Sequence, residues 1–186
     1  FEFEPWGSYR ALAFFGKLYF AGYPKSSFTD EVSSLKEGNL RMVLINDDRA
    51  QTLDYNRTLT LQQGYVLVPL TISAKKGTVN FLLLKNGAPV YSSVVSIGDN
   101  FVYKVNDLPV ILVRLTNAMV GSGQSLAEVE GIFQISDEPD LRIFDGINLG
   151  EMKLTDYSDS GIEFQNNRSI TLKRDSTVPL IPNLDL

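Results

Sequence analysis

The most informative stretch of this sequence is TVNFLLLKNGAPVYSSVV, which occupies residues 78–95. Two runs rich in apolar and β-branched residues flank the pair Asn86-Gly87, and such runs are typical of β-strands. Asn and Gly readily adopt the positive φ angles that the central residues of a type I′ turn require. The stretch therefore predicts a β-hairpin that joins residues 78–85 to residues 88–95.

Strand-like runs also occur on both sides of this hairpin. Residues 65–73, 101–105 and 110–115 are rich in apolar and β-branched residues. Helix signals are poor: residues 26–40 contain Gly38 and several serines, and we interpret this segment as a loop. Many short strands separated by turns are typical of a β-sandwich or a barrel, so the sequence predicts an all-β fold.

Charged residues are distributed unevenly along the chain. Residues 51–137 contain six basic and six acidic residues, whereas the two flanks together hold 11 basic and 16 acidic residues. Neither flank, at about 50 residues, is long enough to bury a core by itself. We therefore predict two β-sandwich domains, with the second inserted into the first. Residues 1–50 and 138–186 would form the discontinuous domain, and residues 51–137 the inserted one.

The composition excludes several kinds of functional site. The 186 residues include no Cys and no His, which removes thiolate zinc sites, cysteine nucleophiles, the Ser-His-Asp triad and the HExxH motif. The net charge of −5 and the isoelectric point of about 4.8 argue against a nucleic-acid partner. The longest apolar runs are far too short to span a bilayer. We expect no enzyme activity and no cofactor.

Acidic residues that lie close together in the sequence are the remaining candidates for chemistry. A glycosidase needs two carboxyl groups about 5–10 Å apart across a sugar site. The segments 136–140 and 156–159 are rich in oxygen ligands but lack the spacing of a calcium-binding EF-hand loop. Because every pair lies in a turn-like stretch, we predict structural roles, with no catalytic residue and no metal site. The pairs are Asp30-Glu31, Asp47-Asp48, Asp137-Glu138 and Asp156 with Asp159.

Aromatic residues are unusually frequent in the first 23 residues. The adjacent pairs Phe14-Phe15 and Tyr19-Phe20 would point to opposite faces of a strand, so we expect much of this set in the core. An alternative function, an extracellular adhesin or carbohydrate-binding module, would need a row of exposed aromatic rings on one sheet face. The side chains to examine for that row are Trp6, Tyr9, Tyr55, Tyr91 and Tyr103.

Two sequons indicate candidate sites of N-glycosylation. They are Asn56-Arg57-Thr58 and Asn167-Arg168-Ser169, and both lie near predicted turns. The pattern Asn-x-Ser/Thr accepts glycans in exported proteins when x is not proline. Asn56 and Asn167 are therefore the predicted sites of covalent glycans on a surface protein.

A series of segments carries a resemblance to a known family: residues 19–23, 44–48, 64–67, 79–87, 92–104 and 129–136. In this order and spacing they resemble the repeat domain of the S-layer proteins of Methanosarcina-type archaea. The resemblance extends from about residue 16 to residue 136 and less distinctly to the C-terminus. It implies that each copy of the domain folds as two β-sandwiches.

The resemblance also implies a function. Members of the family are secreted, glycosylated structural proteins with tandem copies of this domain, and they tile the cell surface as a porous, acidic, protective lattice. The implied partners are neighbouring copies of the same protein, and no catalytic residue is carried over. We interpret the chain, which starts at Phe1, as an excerpt of a longer protein, so any membrane anchor would lie outside it. Because residues 51–137 are neutral, charge selectivity in a pore would come from the flanks.

Overall fold

The computed structural model describes residues 2–3, 6–14, 16–121, 123–169, 171, 174, 179–181 and 184–185. Their regular structure consists of strands, which confirms the predicted all-β fold. In this part of the chain, no helix has the length and hydropathy that crossing a membrane requires. The strands are, in chain order, β1 (Glu2–Phe3), β2 (Gly7–Ser8), β3 (Arg10–Phe14), β4 (Lys17–Tyr23), β5 (Val32–Ser33), β6 (Asn39–Asp47), β7 (Gln51–Leu53), β8 (Leu59–Thr60), β9 (Tyr65–Ser73), β10 (Thr78–Lys85), β11 (Ala88–Ser96), β12 (Asn100–Val105), β13 (Leu108–Gly121), β14 (Gln124–Ile135), β15 (Leu141–Arg142), β16 (Asn148–Leu149), β17 (Met152–Ser158), β18 (Gly161–Asn166), β19 (Pro179–Ile181) and β20 (Leu184–Asp185).

Two large antiparallel sheets contain most of these strands. A nine-stranded sheet has the order β12-β13-β14-β6-β4-β3, with β5, β7 and β15 paired beside this path. A four-stranded sheet has the order β11-β10-β9-β8. A three-stranded sheet, β16-β17-β18, and the two pairs β1-β2 and β19-β20 complete the described structure.

The predicted hairpin at residues 78–95 is confirmed as β10 and β11. Its turn residues Asn86 and Gly87 have φ angles of 52° and 81°, the positive values that a type I′ turn requires. The turn at Asn106 and Asp107 also has positive φ angles, 50° and 64°. Both turns connect strands with two residues, so their geometry sets the register of each hairpin.

The hairpin of β13 and β14 is much longer than the run of residues 110–115 predicts. The predicted run ends at Leu115, but a register shift between Leu115 and Asn117 lets the ladder continue to Gly121. In β14, Gly131 has a φ of 60° at the point where pairing changes from β7 to β6. A residue in this left-handed conformation permits the bulge that lets one long strand pair with two shorter ones.

Buried apolar side chains form two clusters on opposite faces of the nine-stranded sheet. The larger lies against the four-stranded sheet, and the smaller lies against β17 and β18. Strand β4 supplies both, with Phe20 in the larger cluster and Tyr19 in the smaller, because successive side chains point to opposite faces. The smaller cluster consists of Tyr19, Ala21, Leu35, Leu40, Ile143 and Leu154.

The division into residues 1–50 with 138–186 and residues 51–137 stays a prediction. Strand β6, from the first of these ranges, pairs with β14 of the inserted range, from Ile132↔Asp47 to Ile135↔Val43. The larger cluster likewise combines side chains from both ranges. The two ranges therefore share a sheet and a core cluster.

Candidate functional site

A partly buried group of ionisable side chains joins the four-stranded sheet to the segment that follows β14. The Tyr65 hydroxyl donates a hydrogen bond to Asp137 Oδ2 at 2.8 Å, and the Lys85 ammonium group donates to the same oxygen. Lys85 Nζ also lies 5.0 Å from the centre of the Tyr65 ring. The Asp137 backbone N–H donates to Gln63 Oε1 at 3.1 Å. Asp137 thus links two strands and a loop that are distant in the sequence.

The electrostatics of this group favour a structural contact over proton transfer. Burial alone would raise the pKa of the Asp137 carboxyl, but hydrogen bonds from Lys85 and Tyr65 and the Lys85 charge outweigh it and hold that pKa below its ordinary value. Burial, together with the adjacent Asp137 carboxylate, raises the pKa of Tyr65 well above its ordinary value. The carboxylate stays charged and the phenol stays protonated at neutral pH, so neither is poised to exchange protons.

Other acidic residues from the predicted pairs and from the segment 136–140 bind separate partners. Asp47 accepts hydrogen bonds from Arg49 Nε at 2.8 Å and from the Arg49 backbone N–H at 3.1 Å. Asp140 accepts from the Met42 backbone N–H at 2.8 Å and from the Ser136 hydroxyl. Asp159 accepts a hydrogen bond from the Ser33 hydroxyl. These carboxylates brace turns and strand ends.

The segment 136–140 does not gather its oxygen atoms around one point. Asp137 faces Lys85 and Tyr65, whereas Asp140 faces Ser136 and Met42. Within the described ranges, no group of three or more acidic side chains could hold a metal ion. Asp30, Glu31, Asp48 and Asp156 are exposed at the surface.

The five aromatic residues examined for a sugar-binding row lie in different places. Trp6 and Tyr9 are buried in the larger cluster, with exposed fractions of 7% and 1%. Tyr55 is 60% exposed on a separate turn. Tyr91 and Tyr103 contact each other, with ring centres 5.7 Å apart and planes tilted by 44°. The five rings therefore do not form a row on one sheet face. Of the aromatic start, Phe1 and Phe15 lie outside the described residues.

A groove of about 690 Å³ runs beside β11 and β12. Its apolar wall includes Tyr91, Val94 and Tyr103, and its charged rim includes Asp99, Lys104 and Arg114. Because β11 and β12 each end a different sheet, the groove follows two strand edges.

Both predicted glycosylation sites lie at exposed turns. The Asn56 side chain is exposed, and its backbone N–H donates to Asp54 Oδ1 at 2.7 Å in the turn after β7. The Asn167 side chain is also exposed, and its backbone N–H donates to the Glu151 carbonyl at 2.9 Å. Neither asparagine side chain is enclosed by the fold, so both sequons meet the steric requirement for an attached glycan.

The outer face of the four-stranded sheet is a feature that the sequence reasoning missed. The strands of this sheet contain Lys85 as their one charged residue, and its side chain turns inward to Asp137. The register places Val66 beside Leu84 and Val68 beside Leu82 on the outer face, with Ser92 and Val94 on β11. A sheet face open to water is normally polar. The sequence did indicate this face, because β9 and β10 have apolar residues at positions that point to both faces of the sheet.

Comparisons with known proteins identify sequences that are similar to this chain. The family model for S-layer protein matches residues 1–186. The chain is 26% identical over 188 residues to the major S-layer protein of Methanosarcina barkeri (strain Fusaro), covering 96% of this chain and 27% of that protein. It is 20% identical over 185 residues to the major S-layer protein of Methanosarcina mazei, covering 94% of this chain and 26% of that protein.

The two relatives match nearly all of this chain, but the matches cover only a small part of each relative. The chain spans about a quarter of the length of the two curated relatives. The family match, in contrast, extends over the whole of this chain. The chain belongs to the S-layer protein family.

Proposed function

We propose that this chain is a structural part of a cell-surface S-layer, a porous two-dimensional lattice that protects the cell. The observation that carries the proposal is the family match over residues 1–186. The names of the two Methanosarcina relatives, both major S-layer proteins, support it. On this proposal the chain is extracellular, acts without catalysis, and has neighbouring copies of the same protein as its partners.

The packing of the chain supports a structural role. Two core clusters on opposite faces of one sheet make three packed layers of strands. The buried ionic group at Asp137 connects distant segments without a proton-transfer geometry. An uncharged outer face on the four-stranded sheet offers a surface for a neighbouring protein.

The charge of the chain supports an acidic coat. Its net charge is −5, and the flanks outside residues 51–137 carry the whole excess, with 16 acidic and 11 basic residues. The absence of His from the sequence keeps the net charge nearly constant around neutral pH. An acidic surface attracts cations and repels anions over a screening length of about 8–10 Å.

Immunogold labelling of intact source cells tests the proposed function directly. An S-layer subunit gives dense, continuous label over the whole cell surface, at a copy number that matches a coat. Sparse or patchy surface label would point instead to an adhesin or sugar-binding module. Label confined to the cell interior would contradict a surface role altogether.

We also propose that Asn56 and Asn167 carry glycans. Exposure of both side chains at turns supports this assignment. Mass spectrometry of peptides from protein isolated from the source cells should find a mass added at each asparagine. The variants Asn56→Gln and Asn167→Gln should each remove one added mass. Unmodified peptides at both positions would contradict the assignment while leaving the lattice role intact.

A further inference from the structure

Strand β11 presents an open backbone edge. Among the described residues it pairs with β10 alone. The Ile97 N–H donates to the Gly77 carbonyl at 2.8 Å, and the register is unbroken from Thr78↔Ser96 to Leu83↔Tyr91. Hydrogen-bonded and non-hydrogen-bonded pairs alternate along an antiparallel ladder. The backbone N–H and C=O groups of Ser92, Val94 and Ser96 therefore point away from β10. Of these, the Ser96 carbonyl already accepts a hydrogen bond from the Asp99 N–H at 2.9 Å.

Devices that protect a sheet edge are present at one end of β11 and missing from the rest. Pro89 lacks an N–H, and a register shift lies opposite it between Leu83 and Leu84. From Asn86 to Gly98 the sequence contains no charged residue. Val94, at the centre of the unprotected part, is 66% exposed. Apart from the Ser96 carbonyl, residues 92–96 thus offer unprotected backbone groups on an uncharged strand.

The other ends of the two large sheets are less suited to pairing. At one end of the nine-stranded sheet, β12 carries the exposed Lys104. At its other end, β3 begins with Arg10, whose guanidinium donates to the Val32 carbonyl at 3.2 Å. The far edge of the four-stranded sheet, β8, is two residues long. A charged residue or a short strand discourages pairing at each of these edges.

We propose that β11 pairs antiparallel with β11 of a second copy of this chain. Residues 92, 94 and 96, whose backbone groups face the open edge, read Ser, Val and Ser in both directions. A two-fold axis at Val94 would therefore place Val94 beside Val94 of the partner subunit, with Ser92 beside Ser96 of the partner subunit on each side. The Val94 pair exchanges two bonds, and each Ser96 N–H donates to the carbonyl of Ser92 of the partner subunit, which gives about four backbone hydrogen bonds. The two four-stranded sheets become one continuous sheet.

A second copy fits this edge better than a different protein. A two-fold interface uses the same surface of both subunits, and an axis at Val94 pairs Val with Val and Ser with Ser along this edge. The inference rests on the proposed function, because a lattice of identical subunits brings copies of the same strand together. It assigns one contact of that lattice to named residues.

Disulfide cross-linking tests the register, because the chain has no Cys of its own. In the proposed pairing, the α-carbons of the two Val94 residues are about 5.5 Å apart, within the range that a disulfide spans. The variant Val94→Cys should give a covalent dimer when the purified chain is oxidised by oxygen with a copper catalyst. The matched control is Val120→Cys, since Val120 is 67% exposed on another strand. Equal dimer yields from the two variants would overturn the proposed register.

Sedimentation of the purified chain over a range of concentrations tests the edge itself. We expect the dissociation constant to rise at least tenfold for Val94→Lys, whereas Val120→Lys should associate like the unmodified chain. Val94→Pro should have the same effect as Val94→Lys, because its missing N–H points away from β10 and the β10–β11 ladder stays intact. Circular dichroism spectra that match the unmodified chain would show that the variants fold. Unchanged association in both Val94 variants would overturn the inference.

Failure of this inference and failure of the proposed function give different results. If immunogold labelling finds a continuous coat but the Val94 variants associate normally, the β11 contact is wrong and the S-layer role stands. If the label is absent from the cell surface, the proposed function is wrong, and the β11 pairing is wrong as a lattice contact too.

Discussion

At the scale of single residues, Asp137 shows how a distant contact fixes the fold. Its carboxylate binds Lys85 and Tyr65, which lie 52 and 72 positions earlier in the chain. The sequence identified Asp137 as half of an acidic pair in a turn, yet the adjacent Glu138 is exposed and shares none of these contacts. Sequence spacing could not show this, because the partners meet only through the packing of two sheets.

The substitution Asp137→Asn should destabilise the chain by about 1–2 kcal/mol at pH 7, because it removes a charged acceptor from Lys85 and Tyr65. The pKa of Asp137 is lower in the folded chain than its ordinary value. Its contribution is therefore almost complete above about pH 5, roughly one unit above the ordinary value for Asp, and is lost as the pH falls through the folded pKa. The destabilisation should shrink between pH 5 and pH 2.5, as measured by urea unfolding.

The control for this measurement is Asp47→Asn. Asp47 pairs with Arg49, whose side chain is 81% exposed, so the loss should stay below about 0.5 kcal/mol at pH 7. A difference between Asp137→Asn and the unmodified chain that stays constant from pH 7 to pH 2.5 would contradict the assigned role of the Asp137 charge.

At the scale of elements, the turns were more predictable than the strand lengths. Asn86-Gly87 indicated a two-residue hairpin because few other residues accept positive φ at both positions. The extent of β13 and β14 was not predictable in the same way. Their ladder continues past Leu115 through register shifts and past Gly131 through a bulge, and both depend on pairing with distant strands.

The hairpin turn can be tested by Gly87→Ala. Gly87 has a φ of 81°, and a Cβ there would meet no atom within 4 Å, so the cost is conformational alone. Ala in the left-handed region costs about 1–2 kcal/mol, and we expect a loss of that size in thermal or urea unfolding. Gly161→Ala is the matched control, because a Cβ at Gly161 also meets nothing and its φ is not in the left-handed region. Equal stability of the two variants would show that the turn tolerates a side chain.

At the scale of the whole molecule, composition and alternation were enough to predict an all-β fold with a large core. They were not enough to show that one sheet separates two clusters. Strand β6 explains why: Leu40 lies in the smaller cluster, whereas Val43 and Ile45 pack against the larger one. The candidate contact surface on β11 was hidden for a similar reason. Val94 is exposed because β11 is the last strand of its sheet. The order of strands in a sheet depends on pairing between distant segments, so the local sequence does not predict it.

Shared strands lead us to expect that the two clusters unfold together. Leu154 is completely buried in the smaller cluster, and Leu154→Ala should cost about 2–5 kcal/mol. Trp6, the one Trp of the chain, lies in the larger cluster and reports on that cluster by its fluorescence. Because β4 and β6 line both clusters, Leu154→Ala should lower the urea midpoints of Trp6 fluorescence and of far-ultraviolet circular dichroism by the same amount.

The matched control is Leu67→Ala, which removes a completely buried Leu from the larger cluster and should lower both midpoints as well. An unchanged Trp6 midpoint in Leu154→Ala, with a separate earlier transition in circular dichroism, would contradict cooperative unfolding. That result would mean that the smaller cluster unfolds as its own unit. It would favour a boundary inside the nine-stranded sheet, between the faces of β4 and β6, over a boundary near residues 50 and 138. Coincident midpoints would mean that the shared sheet transmits the loss of Leu154 packing to Trp6, and that the two clusters form one cooperative unit.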